Sequence, residues 1–420
     1  MPYDKHFQRK YLLLNMINHL GPVSRTALID HTDYRPATVG AIVGELLKEG
    51  LIVETGSIST GHGRKRVLLE INKQHLCAIG VSFTSTNVTF ILSQFDGQIL
   101  HQSEMAVCNK RIRKDMVWQI LEHVQQILSQ YSHAHRIVGI GICKPLYDPT
   151  DSQRPDTQNP TSEFFDSWIH NDLQPLLEAN CHLPIRVFSG VTTPAIAEHR
   201  FGVAKNVDNF IWIELSNGIG TSIFCNGSPV NGANGVAGEL GHTVIRFSED
   251  QPLCYCGKPG CVETASAWPA LLKNIQKSLD DNVYSVLQTT GKPFSDLTVQ
   301  DIRQALDAGD RMCRHYVKQS AKRIGVAISN AINLLNPEMI VLYGFMLELG
   351  DYFLEQLEKA IRDNVISFAC NFSIKISTSS ESIMPLGAIA ELFASYLHMD
   401  DYKWVYQLQP VEAGQEALNP

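Results

Sequence analysis

The residues best placed to do chemistry in this chain are three cysteines and a histidine. Gly241-His242 is followed by Cys254-Tyr255-Cys256-Gly257-Lys258-Pro259-Gly260-Cys261. Three soft thiolates and one imidazole are the donor set of a closed tetrahedral zinc site. Gly257 and Gly260 let the chain fold back so that the three sulfurs converge. Four protein ligands leave no open position. One zinc per chain, on His242, Cys254, Cys256 and Cys261, is therefore expected to be structural rather than catalytic. The other seven cysteines (Cys77, Cys108, Cys143, Cys181, Cys225, Cys313, Cys370) are isolated and read as small core or surface residues.

A second group of residues points to a polyanion. The 420-residue chain carries a net charge of −8, which excludes a uniformly basic coat. Residues 1–72 hold nine Lys+Arg and seven Asp+Glu, so they are net positive on an acidic body. Arg64, Lys65 and Arg66 close a glycine-rich loop over residues 55–65, between two strands expected at Leu51–Glu54 and Arg66–Ile71. Ahead of them, apolar spacing predicts a helix over 8–20 that stops at Gly21-Pro22. Ser24 is a good N-cap for a second helix, Arg25 to about His31. A third starts near Arg35-Pro36 and ends at Glu49-Gly50. Helices followed by a hairpin in this order are the layout of a winged helix-turn-helix, whose second helix of the pair enters the major groove of double-stranded DNA. Ser24, Arg35 and Thr38 are then candidate base or phosphate contacts. Arg64, Lys65 and Arg66 are the candidate wing.

The elements that must position these groups are α/β. Strands are expected at Leu76–Phe83, Asn87–Leu92 and Gln98–Ser103, a helix over 114–131, and strands at Ile137–Ile142 and Ile185–Phe188. A second α/β unit begins at Phe210–Leu215 and contains a long helix ending before Asn336-Pro337, the strand Met339–Tyr343 and a last helix near Leu386–Leu397. The expected organisation is residues 1–72, a DNA-binding domain; 73–190, a first lobe; 191–400, a second lobe carrying the zinc loop; and 401–420, a tail. With 44% hydrophobic residues the chain has ample material for cores. No run of about 18 apolar residues occurs and residues 1–6 lack the apolar core of a secretory leader, so a cytoplasmic chain with no membrane insertion is expected.

The segment Gly232-Ala233-Asn234-Gly235-Val236-Ala237-Gly238-Glu239-Leu240-Gly241-His242, with Cys254-x-Cys256-Gly257-x-x-Gly260-Cys261-x-Glu263, closely resembles the signature of the ROK family (repressors, open reading frames and kinases). Preceded by a winged helix-turn-helix, the chain resembles the regulators of that family, such as the glucose- and N-acetylglucosamine-responsive repressors. The resemblance covers about residues 8–398. It implies an actin-like (ribonuclease H-like) sugar kinase fold of two α/β lobes with a sugar cleft between them. It also implies that Glu239, His242, Glu263 and Asn159 contact sugar hydroxyls, His242 using one ring nitrogen for zinc and the other for the ligand.

The chain departs from the family's kinases on the side of catalysis. Ser189-Gly190-Val191-Thr192 stands where the resemblance places an Asn-Asp-x-Asn segment, so Gly190 replaces the base that accepts the sugar hydroxyl's proton. Gly80–Ser85 lacks the paired glycines of a first phosphate loop and holds Phe83 instead. Leu215–Thr221 is closer to a second phosphate loop, though a structural β-turn is the favoured reading of it, and Leu342-Tyr343-Gly344-Phe345 lacks a further glycine pair. The expected function is a transcriptional regulator, read as a repressor of carbohydrate uptake or metabolism genes. It would bind operator DNA as a homodimer or homotetramer and answer to a sugar or sugar phosphate. An active sugar kinase with a fused DNA-binding domain and a repressor controlled by a protein partner stay open as alternatives.

Overall fold

The computed structural model describes residues 5–58, 65–84, 87–107, 116–144, 167–245, 253–378 and 382–397. Its first elements follow the local signals closely. Helix α1 (Lys5–Leu20) stops at Gly21-Pro22, and a two-residue strand, β1 (Val23–Ser24), leads into α2 (Arg25–Asp30). The Ser24 hydroxyl accepts a hydrogen bond from Ala27 N at 3.2 Å and so caps α2. Helix α3 (Pro36–Lys48) opens on a proline, whose missing N–H costs nothing in a first turn. It turns Val39, Ile42, Val43 and Leu46 inward. Strands β2 (Ile52–Ile58) and β3 (Arg66–Ile71) pair antiparallel, and β1 adds to the far edge of β3, giving the order β1-β3-β2. Strand β2 runs past Glu54 because a bulge between Glu54 and Gly56 keeps its outer part paired with Arg66–Leu68. Ion pairs of His6 with Glu45 and Lys10 with Glu49 join α1 to α3 on the surface. Arg136 donates to the carbonyl of Glu49, at the end of α3, at 3.1 Å.

From Leu76 the chain builds strands β4 (Leu76–Phe83), β5 (Asn87–Gln94) and β6 (Ile99–Ala106) as an antiparallel meander. Helix α4 (Met116–Tyr131) follows, then β7 (Arg136–Cys143), parallel to β4. A π-helical turn at Ile169–Leu173 runs into α5 (Gln174–Cys181), and β8 (Ile185–Phe188) joins parallel to β7. The sheet order is β6-β5-β4-β7-β8. After α6 (Thr193–Phe201) the plan recurs. Strands β9 (Phe210–Leu215), β10 (Ile219–Cys225) and β11 (Ser228–Pro229) form a second meander. Helices α7 (Val262–Ser266), α8 (Trp268–Asp280), α9 (Val299–Asp307) and α10 (Arg311–Leu335) intervene before β12 (Met339–Tyr343). Helix α11 (Asp351–Asn364), β13 (Ser373–Ile376) and α12 (Ile383–Leu397) complete the described chain. The second sheet reads β11-β10-β9-β12-β13, the same order as the first, with β12 parallel to both β9 and β13. The two halves share a topology that no sequence repeat announces.

Two compact units result. One holds the described residues up to Lys144, Trp168–Phe188 and the last helix; the other holds Ser167 and the described residues between Ser189 and Thr378. The second unit's core lies on one face of its sheet, where Ile211, Ile213 and Leu215 meet α8, α10 and α11. The expected second lobe, 191–400, differs from this division at its end, because helix α12 packs on β4 and β7 of the first unit. That helix is apolar on all sides, as a buried helix is. It comes so close that a Cβ added at Gly80 would lie 2.2 Å from the carbonyl oxygen of Pro385, and one at Gly141 2.6 Å from that of Ala388. Among the described residues no helix is long and apolar enough to cross a membrane. Gly80→Ala is expected to force α12 off the sheet and cost about 1–3 kcal/mol, read as a lowered midpoint in urea unfolding; an unchanged midpoint would mean that the backbone contact yields freely.

Candidate metal centre

The metal-ligating side chains come from two places that only the fold brings together. His242 ends a 3-10 turn, Leu240–His242, that lies across β10. This approach requires a bare backbone at Gly238, whose φ is +91° and whose added Cβ would sit 2.5 Å from the carbonyl oxygen of Thr221. The cysteines sit on a tight loop. Cys254 N donates to Lys258 O and Gly257 N to Cys254 O, each at 2.9 Å. Isolated bridges pair Leu253 with Pro259 and Val244 with Cys261, closing the loop onto the strand after His242. Cys261 then caps α7. That short helix is held by α10, as Ser320 donates to Ser266 O at 2.6 Å and Arg323 to Ala265 O at 2.7 Å.

The four donor atoms of His242, Cys254, Cys256 and Cys261 all lie within 4.8 Å of one another. Cys254 Sγ is 3.5 Å from His242 Nδ1, and Cys256 Sγ is 3.6 Å from Cys261 Sγ. A tetrahedron with metal–sulfur bonds of about 2.3 Å has edges of about 3.7 Å. The donor set therefore already has the size of a coordination shell. Burial pushes the Cys254 and Cys261 thiols up, while at Cys256 burial is outweighed by hydrogen bonds from the Lys258 backbone and the neighbouring thiols, which bring its thiol down. The residues fit a tetrahedral metal, and all four ligands come from this chain.

The carboxylates beside this centre differ from one another. Glu239 is exposed, and its Oε2 is 3.7 Å from His242 Nε2. Glu263, two residues beyond Cys261, is half-buried and accepts a hydrogen bond from Ile219 N at 2.9 Å. That bond fastens α7 to the turn at Ser216–Gly218. Burial raises the Glu263 carboxyl above its ordinary range, against the pull of the Ile219 N–H. Two further neighbours carry no motif of their own. The Tyr255 hydroxyl is 2.8 Å from His242 Nε2. Glu214, paired across from Gly220 and Tyr343, is buried, and Oε2 has no hydrogen-bond partner. Burial pushes Glu214 up to about 7, reinforced by the nearby Glu263 and opposed by a hydrogen bond from Ser216. A glutamate inside the otherwise apolar run Phe210–Leu215 is the one signal of it in the sequence.

The other predicted residues divide by location. Arg35, Lys65 and Arg66 are exposed and Thr38 is half-buried on α3. Ser24 is buried, at 5% exposure, with its hydroxyl engaged in capping α2, so its side chain does not face outward. Arg64 and Asn159 lie outside the described residues, as does the tail 401–420. Gly190 follows β8 in the turn that starts α6, where Thr193 N donates to Ser189 O at 3.1 Å. Phe83 is buried at the end of β4, edge-on to Trp168 with centroids 5.8 Å apart. Phe345 packs edge-on against Trp268 at 5.8 Å.

Two sheets of identical strand order, each a meander extended by parallel strands, with a His-Cys centre on the second, define a sugar-kinase-like α/β protein. The ROK family profile matches residues 78–390, and the chain belongs to the ROK family. It is 28% identical over 402 residues to the xylose repressor of Caldicellulosiruptor bescii, covering 94% of this chain and 97% of the relative. The crystal structure of a ROK family transcriptional regulator, a homolog of the E. coli MLC protein, superposes with a TM-score of 0.72 at 23% identity, over 97% of this chain and all of that one. A ROK family glucokinase from Streptomyces griseus, in complex with glucose and AMPPNP, superposes with a TM-score of 0.57 at 22% identity, over 74% of this chain and 98% of its own.

Metal analysis of the isolated protein is expected to find about one ion per chain, and Cys256→Ser is expected to lose it and melt earlier, because binding energy at such a site is folding energy. A metal-free Cys256→Ser protein as stable as the parent would remove the centre.

Proposed function

We propose that the chain is a sequence-specific DNA-binding transcriptional regulator, a repressor of carbohydrate uptake or metabolism genes, whose kinase-like body senses a sugar or sugar phosphate without phosphorylating it. The observation that carries this reading is a contrast within one chain. Glu239 and His242, at the 3-10 turn, and Glu263, on α7, stand close together beside the donor cluster, while Gly190 offers no carboxyl to take a proton from a sugar hydroxyl. The xylose repressor's name makes xylose the first effector to test. Zinc is the ion that the thiolate-rich, four-ligand set fits best, and with every position filled by protein it serves to hold the loop bearing Glu263.

The N-terminal three helices and antiparallel sheet are read as a winged helix-turn-helix. In it α3 presents Arg35 and Thr38 to the major groove, and the β2–β3 connection, with Arg64, Lys65 and Arg66, reaches phosphate or minor groove. Ser24 supports this surface by capping α2 rather than by touching DNA. Asn159 stays a proposed sugar contact. A palindromic operator calls for at least a homodimer, dimer or tetramer, in the cytoplasm. The sugar shifts operator affinity only as far as its affinities for the free and DNA-bound forms differ.

The DNA arm is tested by salt. Lys65→Ala with Arg66→Ala is expected to weaken binding to every duplex and to flatten the slope of log K against log salt by about one unit for each phosphate no longer neutralised. An unchanged slope would take the wing off the DNA. The sensor arm is tested by turnover. With ATP and xylose, glucose or amino sugars, ADP release is expected to stay at background, since a general base alone contributes about 10²–10⁴-fold. Turnover near one per second would instead make the chain a kinase.

A further inference from the structure

We propose that Tyr255 is a specificity-determining residue of the sugar site: it caps His242 in the free protein, and an effector hydroxyl must displace its phenol to bind. The inference rests on the sugar-site reading of Glu239 and His242. Three observations carry it. The phenol oxygen lies 2.8 Å from His242 Nε2, and the rings meet edge to face, at 83° with centroids 4.9 Å apart. The other ring nitrogen, Nδ1, faces Cys254 Sγ at 3.5 Å and is committed to the metal side. Glu239 Oε2 approaches the same Nε2 at 3.7 Å, so carboxylate, imidazole and phenol converge on one point.

An imidazole nitrogen carries either one hydrogen or one lone pair and makes one good hydrogen bond. With Nδ1 facing the metal ligands and Nε2 joined to Tyr255, His242 has nothing left for a sugar. The backbone on either side of Tyr255 belongs to two of the metal-ligating cysteines, so the loop is held where it is. The side chain itself is 61% exposed and free to rotate into water. Opening therefore needs a rotation about side-chain bonds, with the metal ligands left in place. The phenol acts as an internal competitor at the position of one sugar oxygen. A sugar that lacks a hydroxyl at that carbon has nothing to exchange for the phenol and is rejected. One that has it binds with an affinity lowered by the hydrogen bond it must replace, roughly 2–10-fold for a net bond of ordinary strength.

The test uses full-length protein and its Tyr255→Phe variant, which keeps the ring and removes only the hydroxyl, with metal content matched. In protein labelled with ¹⁵N-histidine, one imidazole Nε2 resonance is expected to move between the two. Calorimetry with xylose, glucose and N-acetylglucosamine is expected to show the sugar that binds doing so roughly 2–10-fold more tightly to Tyr255→Phe. Unmoved imidazole resonances would overturn the cap. Moved resonances with weaker sugar binding would overturn the competition and make Tyr255 a direct sugar contact. Moved resonances with no sugar bound by either protein would end the sugar-site reading and the competition with it, leaving only the cap.

Discussion

The loop from Leu253 to Cys261 is exposed at every position except Cys254, Gly260 and Cys261. So little apolar burial cannot hold nine residues in one conformation against their chain entropy. What gathers there instead is a donor set, three sulfurs and an imidazole nitrogen within 4.8 Å of one another, which one metal ion could hold together. Much hangs on that convergence. It fixes the ring of His242, closes the bridge from Val244 to Cys261, and sets the start of α7, from which Glu263 reaches the N–H of Ile219. Glu263 in turn ties the turn at Ser216–Gly218, whose Ser216 carbonyl accepts from Trp268 N at the head of α8. The donor cluster is thereby tied, through α7, to the turn between β9 and β10.

On the proposed reading the chain holds a sugar without reacting with it. Phosphoryl transfer depends on charge placed where it develops in the transition state, with a base at the acceptor hydroxyl and donors at the phosphates. Gly190 supplies no base. At the end of β4, Phe83 is committed to a ring contact with Trp168. Phe345 after β12 is likewise taken up by Trp268. These aromatic contacts add to packing. The proposed sugar site rests on the carboxylates beside the donor cluster. A sugar is read by several convergent polar groups held rigid by their neighbours, and Glu239, His242 and Tyr255 meet that description at one point.

The N-terminal elements pack against the sheet and last helix of the first unit. Arg136, at the start of β7, reaches the carbonyl that ends α3, and α1 touches the last helix of the chain. A helix end offers carbonyls with partial negative charge, and a guanidinium satisfies them well. The helix read as facing DNA is thus braced, at the end away from its first turn, by a residue of the central sheet.

By itself the sequence determined whatever is written in neighbouring residues. Helix starts at Ser24 and Pro36, the stop at Gly21-Pro22, the strands of the first meander and the grouping of His242 with three cysteines all depend on caps, periodicity and ligand type within a few positions, so they were legible, whereas β10 and β11 of the second meander were not expected. The tertiary structure alone decided the rest. That the two sheets share one strand order depends on pairings such as β4 with β7 and β9 with β12, whose partners lie far apart in the chain. That α12 returns to the first sheet depends on its backbone fitting over Gly80 and Gly141, a close approach no local pattern encodes. Tyr255, in the sequence only the residue between two cysteines, is part of the site because the loop's closure turns its hydroxyl onto His242. Ser24, by its position a candidate DNA contact, has its hydroxyl engaged in capping α2 and is buried. In each case the residue's chemistry was evident from its type, and its role was set by which distant atom the fold placed within hydrogen-bonding reach.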